Sequence, residues 1–296
     1  MQTYINGQFY PPEEASISVD DAGLQHAVGL FETLAVRNGR AFRLEQHLQR
    51  LATSASELGL TRSLDTEALK QAVEQAIAHN NATDARLRLT ITAGRISLLR
   101  DAAEKTPGLT VLIQMTPPTA FDPAAFEKGV TVLIAPPLAN PFDPLAGHKT
   151  LSYWGRLRVL RQAASVGAAE AIIRNVSNHL ASGAVSNLFL VHDGRLLTPF
   201  ARGEETRGAL PAPVLPGITR AAIIELAEKE GLTVERRMLS IDDLLQAQEV
   251  FLTNSSWFVL PVTRVEKHTV GEGPPGPITP RLREALLTLF HTETRN

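Results

Sequence analysis

The chain has 296 residues, 44% of them hydrophobic and 20% charged, with a formal charge of -2. That length exceeds one ordinary domain, so two units with their own cores are expected, and the balanced charge offers no basic stripe to nucleic acid. Cysteine is absent and the eight histidines form no pair at helical ligand spacing, which excludes disulfides, thiolate metal sites and a cysteine nucleophile and leaves no metal expected.

Tyr4-Ile5-Asn6-Gly7 reads as a short strand rather than an export signal. No apolar run approaches the roughly 18 residues of a membrane helix, so a cytoplasmic protein without membrane contact is expected. A strand over 28–36, the Asn38-Gly39 turn and a return strand near Ala41-Phe42 form a hairpin. Leu44, His47, Leu48, Leu51 and Ala55 recur at helical spacing up to a stop at Gly59, and a second helix covers about 65–78. Strands follow at 86–92 and 110–115. Prolines then cluster from Pro117 to Pro123 and at Pro136, Pro137, Pro141 and Pro144, which places a linker at 118–125 between an N-terminal unit, 1–117, and a larger C-terminal unit, 126–296. In that second unit the pattern predicts a helix over 151–166, a strand over 170–174, a hairpin over 187–197 turning at Asp193-Gly194, a helix over 218–230, strands over 233–238, 249–253 and 257–264, and a last helix over 280–290. The Gly/Pro-rich stretch 271–277 reads as a loop.

Lys149 stands at a strand-to-helix corner, in Gly147-His148-Lys149-Thr150. An amine kept from full hydration there can hold a carbonyl compound as an imine, although most lysines only cover solvated faces. Leu215-Pro216-Gly217-Ile218-Thr219-Arg220 opens a predicted helix, whose first N–H groups suit an anion; the plainer reading is an ordinary N-cap. Thr253-Asn254-Ser255-Ser256-Trp257 is a hydroxyl-bearing turn that can add donors or simply connect two strands. Arg50 suits a phosphate or a surface position over Leu51, and Arg86 and Arg88, two apart on one strand face, suit a substrate carboxylate or plain exposure.

In chain order, Phe31-Glu32-Thr33, His47-x-x-Arg50-Leu51-x-x-Ser54, Lys149-Thr150-Leu151-Ser152-Tyr153, Ser186-Asn187-Leu188-Phe189, Thr198-Pro199, Leu215 to Arg220 and Phe251 to Ser255 resemble the fold-type IV pyridoxal-phosphate enzymes. These are the class IV aminotransferases, among them branched-chain and D-amino-acid aminotransferases and 4-amino-4-deoxychorismate lyase. The resemblance runs from about 21 to 262. It implies a two-domain α+β or α/β fold of the D-amino-acid aminotransferase type, a homodimer, pyridoxal 5'-phosphate as cofactor, and an amino acid and a 2-oxo acid as substrates. It further implies Lys149 as the Schiff-base lysine and proton carrier, Arg50, the backbone at Ile218 and Thr219, and Ser255 on the phosphate, and Tyr153 near the ring's phenolic oxygen. Transamination is the reading that follows; a pyruvate-releasing aminodeoxychorismate lyase and a degenerate cofactor-binding homologue are the alternatives.

The departures from the family pattern also carry expectations. Ser182 stands where the family has the glutamate that faces the pyridine nitrogen, and a hydroxyl supplies no comparable negative charge, so a weaker electron sink is expected. The approach to the first motif reads His26-Ala27-Val28-Gly29, and Ala93 stands where an arginine is common. Between Pro199 and Pro216 the chain is longer than the family pattern, with Arg202 to Arg207 inserted, as a cover for the cleft or a tolerated surface loop.

Overall fold

The computed structural model describes residues 1–95 and 108–295. Packing divides the chain into two compact units: Met1–Thr119 with His148–Ser152 and His291–Asn296, and Ala120–Gly147 with Tyr153–Phe290.

The first unit opens with β1 (Thr3–Ile5) and β2 (Gln8–Tyr10), α1 (Ala22–His26), β3 (Gly29–Arg37) and β4 (Arg40–Ala41). It continues with α2 (Leu44–Glu57), α3 (Thr66–His79), β5 (Ala85–Thr92) and β6 (Thr110–Thr116). Asn6 and Gly7 both take positive φ, 48° and 93°, so the first residues form a tight hairpin and not the single strand expected. The six strands are antiparallel in the order β2-β1-β6-β5-β3-β4. Alternation sends Leu30, Leu34 and Val36 of β3, Leu87, Leu89 and Ile91 of β5 and Ile113 of β6 to one face, where they pack on Leu44, Leu48 and Leu51 of α2 and Leu69, Val73 and Ile77 of α3. Each such side chain contributes about 1.5–3 kcal/mol by leaving water. Asp65 caps α3 through the Ala68 N–H.

The linear reading puts residues 148–152 in the second unit, and the structure packs them with the first. Phe31 N–H donates to the Lys149 carbonyl (2.9 Å) and Leu151 N–H to the Gly29 carbonyl (3.0 Å), so the stretch lies along the free edge of β3. Gly29 permits this approach: a Cβ there would stand 2.5 Å from the Ile91 oxygen and 2.7 Å from Leu151 Cδ1. The same pairing delays the next helix, expected from 151, because those backbone groups are already engaged.

The second unit holds α4 (Ala124–Glu127), β7 (Val130–Ile134), α5 (Trp154–Ser165), β8 (Glu170–Arg174), β9 (Leu180–Gly183), β10 (Asn187–His192) and β11 (Arg195–Thr198). After them come α6 (Ile218–Lys229), β12 (Val234–Arg236), α7 (Ile241–Leu245), β13 (Glu249–Asn254), β14 (Phe258–Val265), β15 (His268–Thr269) and α8 (Ile278–Glu293). Its sheet runs β12-β11-β10-β13-β14-β7-β8-β9, with β15 on β14. The pairs β11–β12, β14–β7 and β7–β8 are parallel and the others antiparallel. Leu188, Leu190, Val250, Leu252 and Leu260 share its core, and Phe189 stacks on Phe251 at 4.9 Å. Buried Glu249 accepts from the N–H groups of Ile278 (2.9 Å) and Thr279 (2.7 Å), starting α8 two residues before the position its hydrophobic period suggests. No helix among the described residues is long and apolar enough to cross a membrane.

Candidate active site

In the first unit Glu32 breaks the apolar run of β3 on its core-facing side, 1% exposed. An isolated carboxylate there would be prohibitively costly. Arg50 supplies a two-pronged partner, Nε to Oε1 at 2.9 Å and Nη2 to Oε2 at 2.5 Å, and His47 Nδ1 lies 2.7 Å from Oε2. Burial alone pushes the Glu32 carboxyl up; the Arg50 charge and the His47 contact outweigh it and bring it down to about 2. Burial also pushes His47 down, against the pull of Glu32 and together with the repulsion of Arg50 and Lys149, so its ring is neutral at neutral pH.

Lys149 Nζ sits 4.3 Å over the Phe31 ring, and the Arg88 guanidinium lies 3.7 Å over the same ring. Arg86 occupies the same sheet face two residues away, opposite Ala35 as Arg88 is opposite Thr33. Both arginines are half-buried, not exposed as the plain reading of that strand has them. Lys149 and Arg88 thus meet at the Phe31 ring, while Arg50 is held by the next residue of β3, Glu32.

The second unit carries Ile218 and Thr219 at the start of α6 and Ser255 in the turn after β13. Gly217 is the N-cap of α6 and no side chain caps the helix, leaving its first N–H groups to other acceptors. Asn187 Nδ2 donates to the Leu215 carbonyl (2.9 Å), and a Cβ at 217 would collide with Asn187 Oδ1. Asn187 pairs across the sheet with Thr253, which ties the helix start to the turn after β13. In that turn Asn254 Oδ1 accepts from the N–H groups of Ser256 (2.8 Å) and Trp257 (3.1 Å) while its Nδ2 donates to Val185 (3.2 Å). Among the described residues, buried Thr253 Oγ1 and Trp257 Nε1 have no hydrogen-bond partner.

Ser182 lies elsewhere in this unit, buried on β9. Its hydroxyl donates to the Gly183 carbonyl (2.8 Å), while Arg156 Nη1 reaches Ser182 Oγ (3.4 Å) and the carbonyls of Gly183 (3.2 Å) and Ala184 (3.1 Å). A cation therefore stands beside Ser182. Tyr153 is the N-cap residue of α5, half-buried and without a capping side-chain bond.

The segment inserted after Pro199 is held, not loose. Glu204 makes two 2.7 Å bonds to Arg220, which is 2% exposed and also contacts Thr198 Oγ1 (3.2 Å) and the Pro199 carbonyl (3.0 Å). With 175–181 and 237–238 the segment borders a cavity of about 270 Å³ in which Glu205 is occupied by the N–H groups of Gly203 and Ala212. The described residues contain no group of three or more His, Asp or Glu that can hold a metal.

Sequence reasoning assigned no role to Glu32, His47, His148 or Arg156. A carboxylate on the apolar phase of a strand is a legible signal for the first two, since it demands a cationic or N–H partner.

Comparison with known proteins places these features in context. Residues 29–265 match the model of the family described as amino-transferase class IV. D-alanine aminotransferase of Bacillus licheniformis is 28% identical over 295 residues, 99% of each chain. The branched-chain amino acid aminotransferase of T.th., solved with pyridoxamine 5'-phosphate, superposes with a TM-score of 0.88 at 26% identity, covering 99% of this chain and 95% of that one. The 4-amino-4-deoxychorismate lyase of Pseudomonas aeruginosa superposes with a TM-score of 0.82 at 31% identity, covering 97% and 98%.

Proposed function

The chain belongs to the class IV aminotransferase family, and on that premise we propose that it moves an amino group between an amino acid and a 2-oxo acid, with Lys149 as the amine that carries the cofactor. It is an enzyme of a pyridoxal-phosphate-dependent family. The residues fit that group on two counts: the α6 start offers uncapped N–H groups beside Gly217, and Thr253 Oγ1 is a buried donor without a protein partner among the described residues.

When bound, pyridoxal phosphate supplies an electron sink for negative charge developing at the amino-acid Cα. Lys149 Nζ holds and moves the proton at that carbon. The Phe31 ring, with Nζ 4.3 Å above it and the Arg88 guanidinium over the same ring, gives the amine a defined seat. Arg50, its Nε and Nη2 held by Glu32, is the guanidinium of this unit assigned to the phosphate. In the second unit the N–H groups of Ile218 and Thr219 and the Ser255 hydroxyl are further phosphate donors, and Tyr153 serves the phenolic oxygen. Arg88, with Arg86, takes a substrate carboxylate. Ser182 with Arg156 beside it offers no negative charge to a ring nitrogen, so nitrogen-15 chemical shifts of labelled, bound cofactor should show incomplete protonation at neutral pH; a full pyridinium signal contradicts this role.

The observation that carries the reading is Lys149, its backbone held on the β3 edge and its amine over the Phe31 ring that Arg88 shares. Turnover of a panel of amino donors with a 2-oxo acid acceptor tests it, and transfer that requires both substrates is the expected result. A lyase is the second reading, since a 4-amino-4-deoxychorismate lyase is among the similar structures. Pyruvate release from 4-amino-4-deoxychorismate without any oxo acid would select it.

A further inference from the structure

The polar residues of α2 that interrupt its apolar pattern are His47, Arg50, Ser54 and Glu57, spaced three, four and three apart and therefore on one stripe of the helix. The first two meet Glu32. The last two meet His148: its Nδ1 is 2.9 Å from Ser54 Oγ, its Nε2 is 3.5 Å from Glu57 Oε2, and its side chain is 2% exposed. The contact that orients the ring is the hydrogen bond between Nδ1 and the Ser54 hydroxyl, with the Glu57 carboxylate at longer range on the Nε2 side.

We infer that His148 is a positioning residue for Lys149, pinning the residue before the amine to the same helix that presents Arg50. This rests on Lys149 being the cofactor-bearing lysine. Two anchors meet at adjacent residues: the His148 side chain holds to α2, and the backbone of Lys149 and Leu151 holds to β3 through the bonds with Phe31 and Gly29. Between them the Lys149 backbone has almost no freedom, so only its own torsions place Nζ over Phe31. One rigid stripe of α2 therefore sets the spacing of amine and guanidinium. A displacement of about 1 Å in such geometry can cost on the order of a hundredfold in rate.

The test is the rate at which pyridoxal 5'-phosphate is captured at Lys149 of the full-length protein, read by borohydride trapping and peptide mass mapping, beside thermal unfolding of each variant. H148F should slow capture roughly tenfold to a hundredfold, and H148Q, which keeps an amide for the Ser54 hydroxyl, should recover part of that rate. S54A, a milder change, should slow capture severalfold and supplies the result if H148F does not fold. Capture by H148F or S54A at the wild-type rate overturns the inference, as does H148Q no faster than a folded H148F. Absence of any adduct at Lys149 in the wild type overturns the family reading and this inference together, whereas an adduct formed equally fast by all variants overturns this inference alone.

Discussion

In the first unit Glu32 and Arg50, with the neutral His47 ring beside them, set charged side chains against the apolar face of β3, whereas in the second unit the start of α6 and the turn after β13 offer backbone N–H groups, an amide and hydroxyls. The charges of the first cluster are spent largely on one another, which makes it rigid. The second cluster has its nearest buried cation, Arg220, committed to Glu204 and turned to the inserted segment. It depends on oriented neutral donors, which bind an anion without first breaking an ion pair. The contrast teaches that the Glu32–Arg50 pair fixes the shape of the first cluster, whereas the second is built from oriented dipoles.

The largest effect that sharpens this contrast comes from the charged side. Glu32→Gln leaves Arg50 buried without its counter-charge and should cost about 3–5 kcal/mol in denaturant unfolding. The Glu32 carboxyl titrates near 2 when folded and near 4.5 ordinarily. Its stabilisation is therefore complete above pH 4.5 and fades as pH falls toward 2, so the gap between wild type and E32Q should close across that window. An equal gap at pH 7 and pH 2.5 would break the comparison.

On the neutral side the effects are those of shape. Gly217→Val drives a side chain into Asn187 Oδ1 and should cost roughly 1–3 kcal/mol. It should also weaken binding of inorganic phosphate measured by calorimetry, while unchanged phosphate binding would deny the α6 start its assigned role. Smallest of all, the exposed Glu45–Lys70 pair at 2.8 Å should contribute nothing measurable, so E45Q should leave the denaturation midpoint where it was. A clear shift would show that charge matters wherever it lies, not only where it is buried.

What the sequence made legible was local. Helical spacing in α2 and α3, the Asn38-Gly39 and Asp193-Gly194 turns and the stop at Gly59 depend on neighbours along the chain, and the structure has them. Lys149, Arg50 and the α6 start stand out as residue types in order. Long-range pairing was hidden. Nothing in the period of residues 148–152 says that they lie along β3, nothing in Glu249 says that it caps α8, and nothing in Glu204 says that it grips Arg220. The short elements α1, α4, β7, β9 and α7 were also missed, since four or five residues carry too little periodicity to register.

The central claim is that the amine of Lys149 bears the cofactor. The measurement closest to it is the visible absorption spectrum of the purified protein with pyridoxal 5'-phosphate, before and after borohydride, for wild type and K149A. A band in the wild type that borohydride removes, and that K149A lacks while remaining folded by circular dichroism, is the predicted result. The same reducible band in folded K149A would contradict the account.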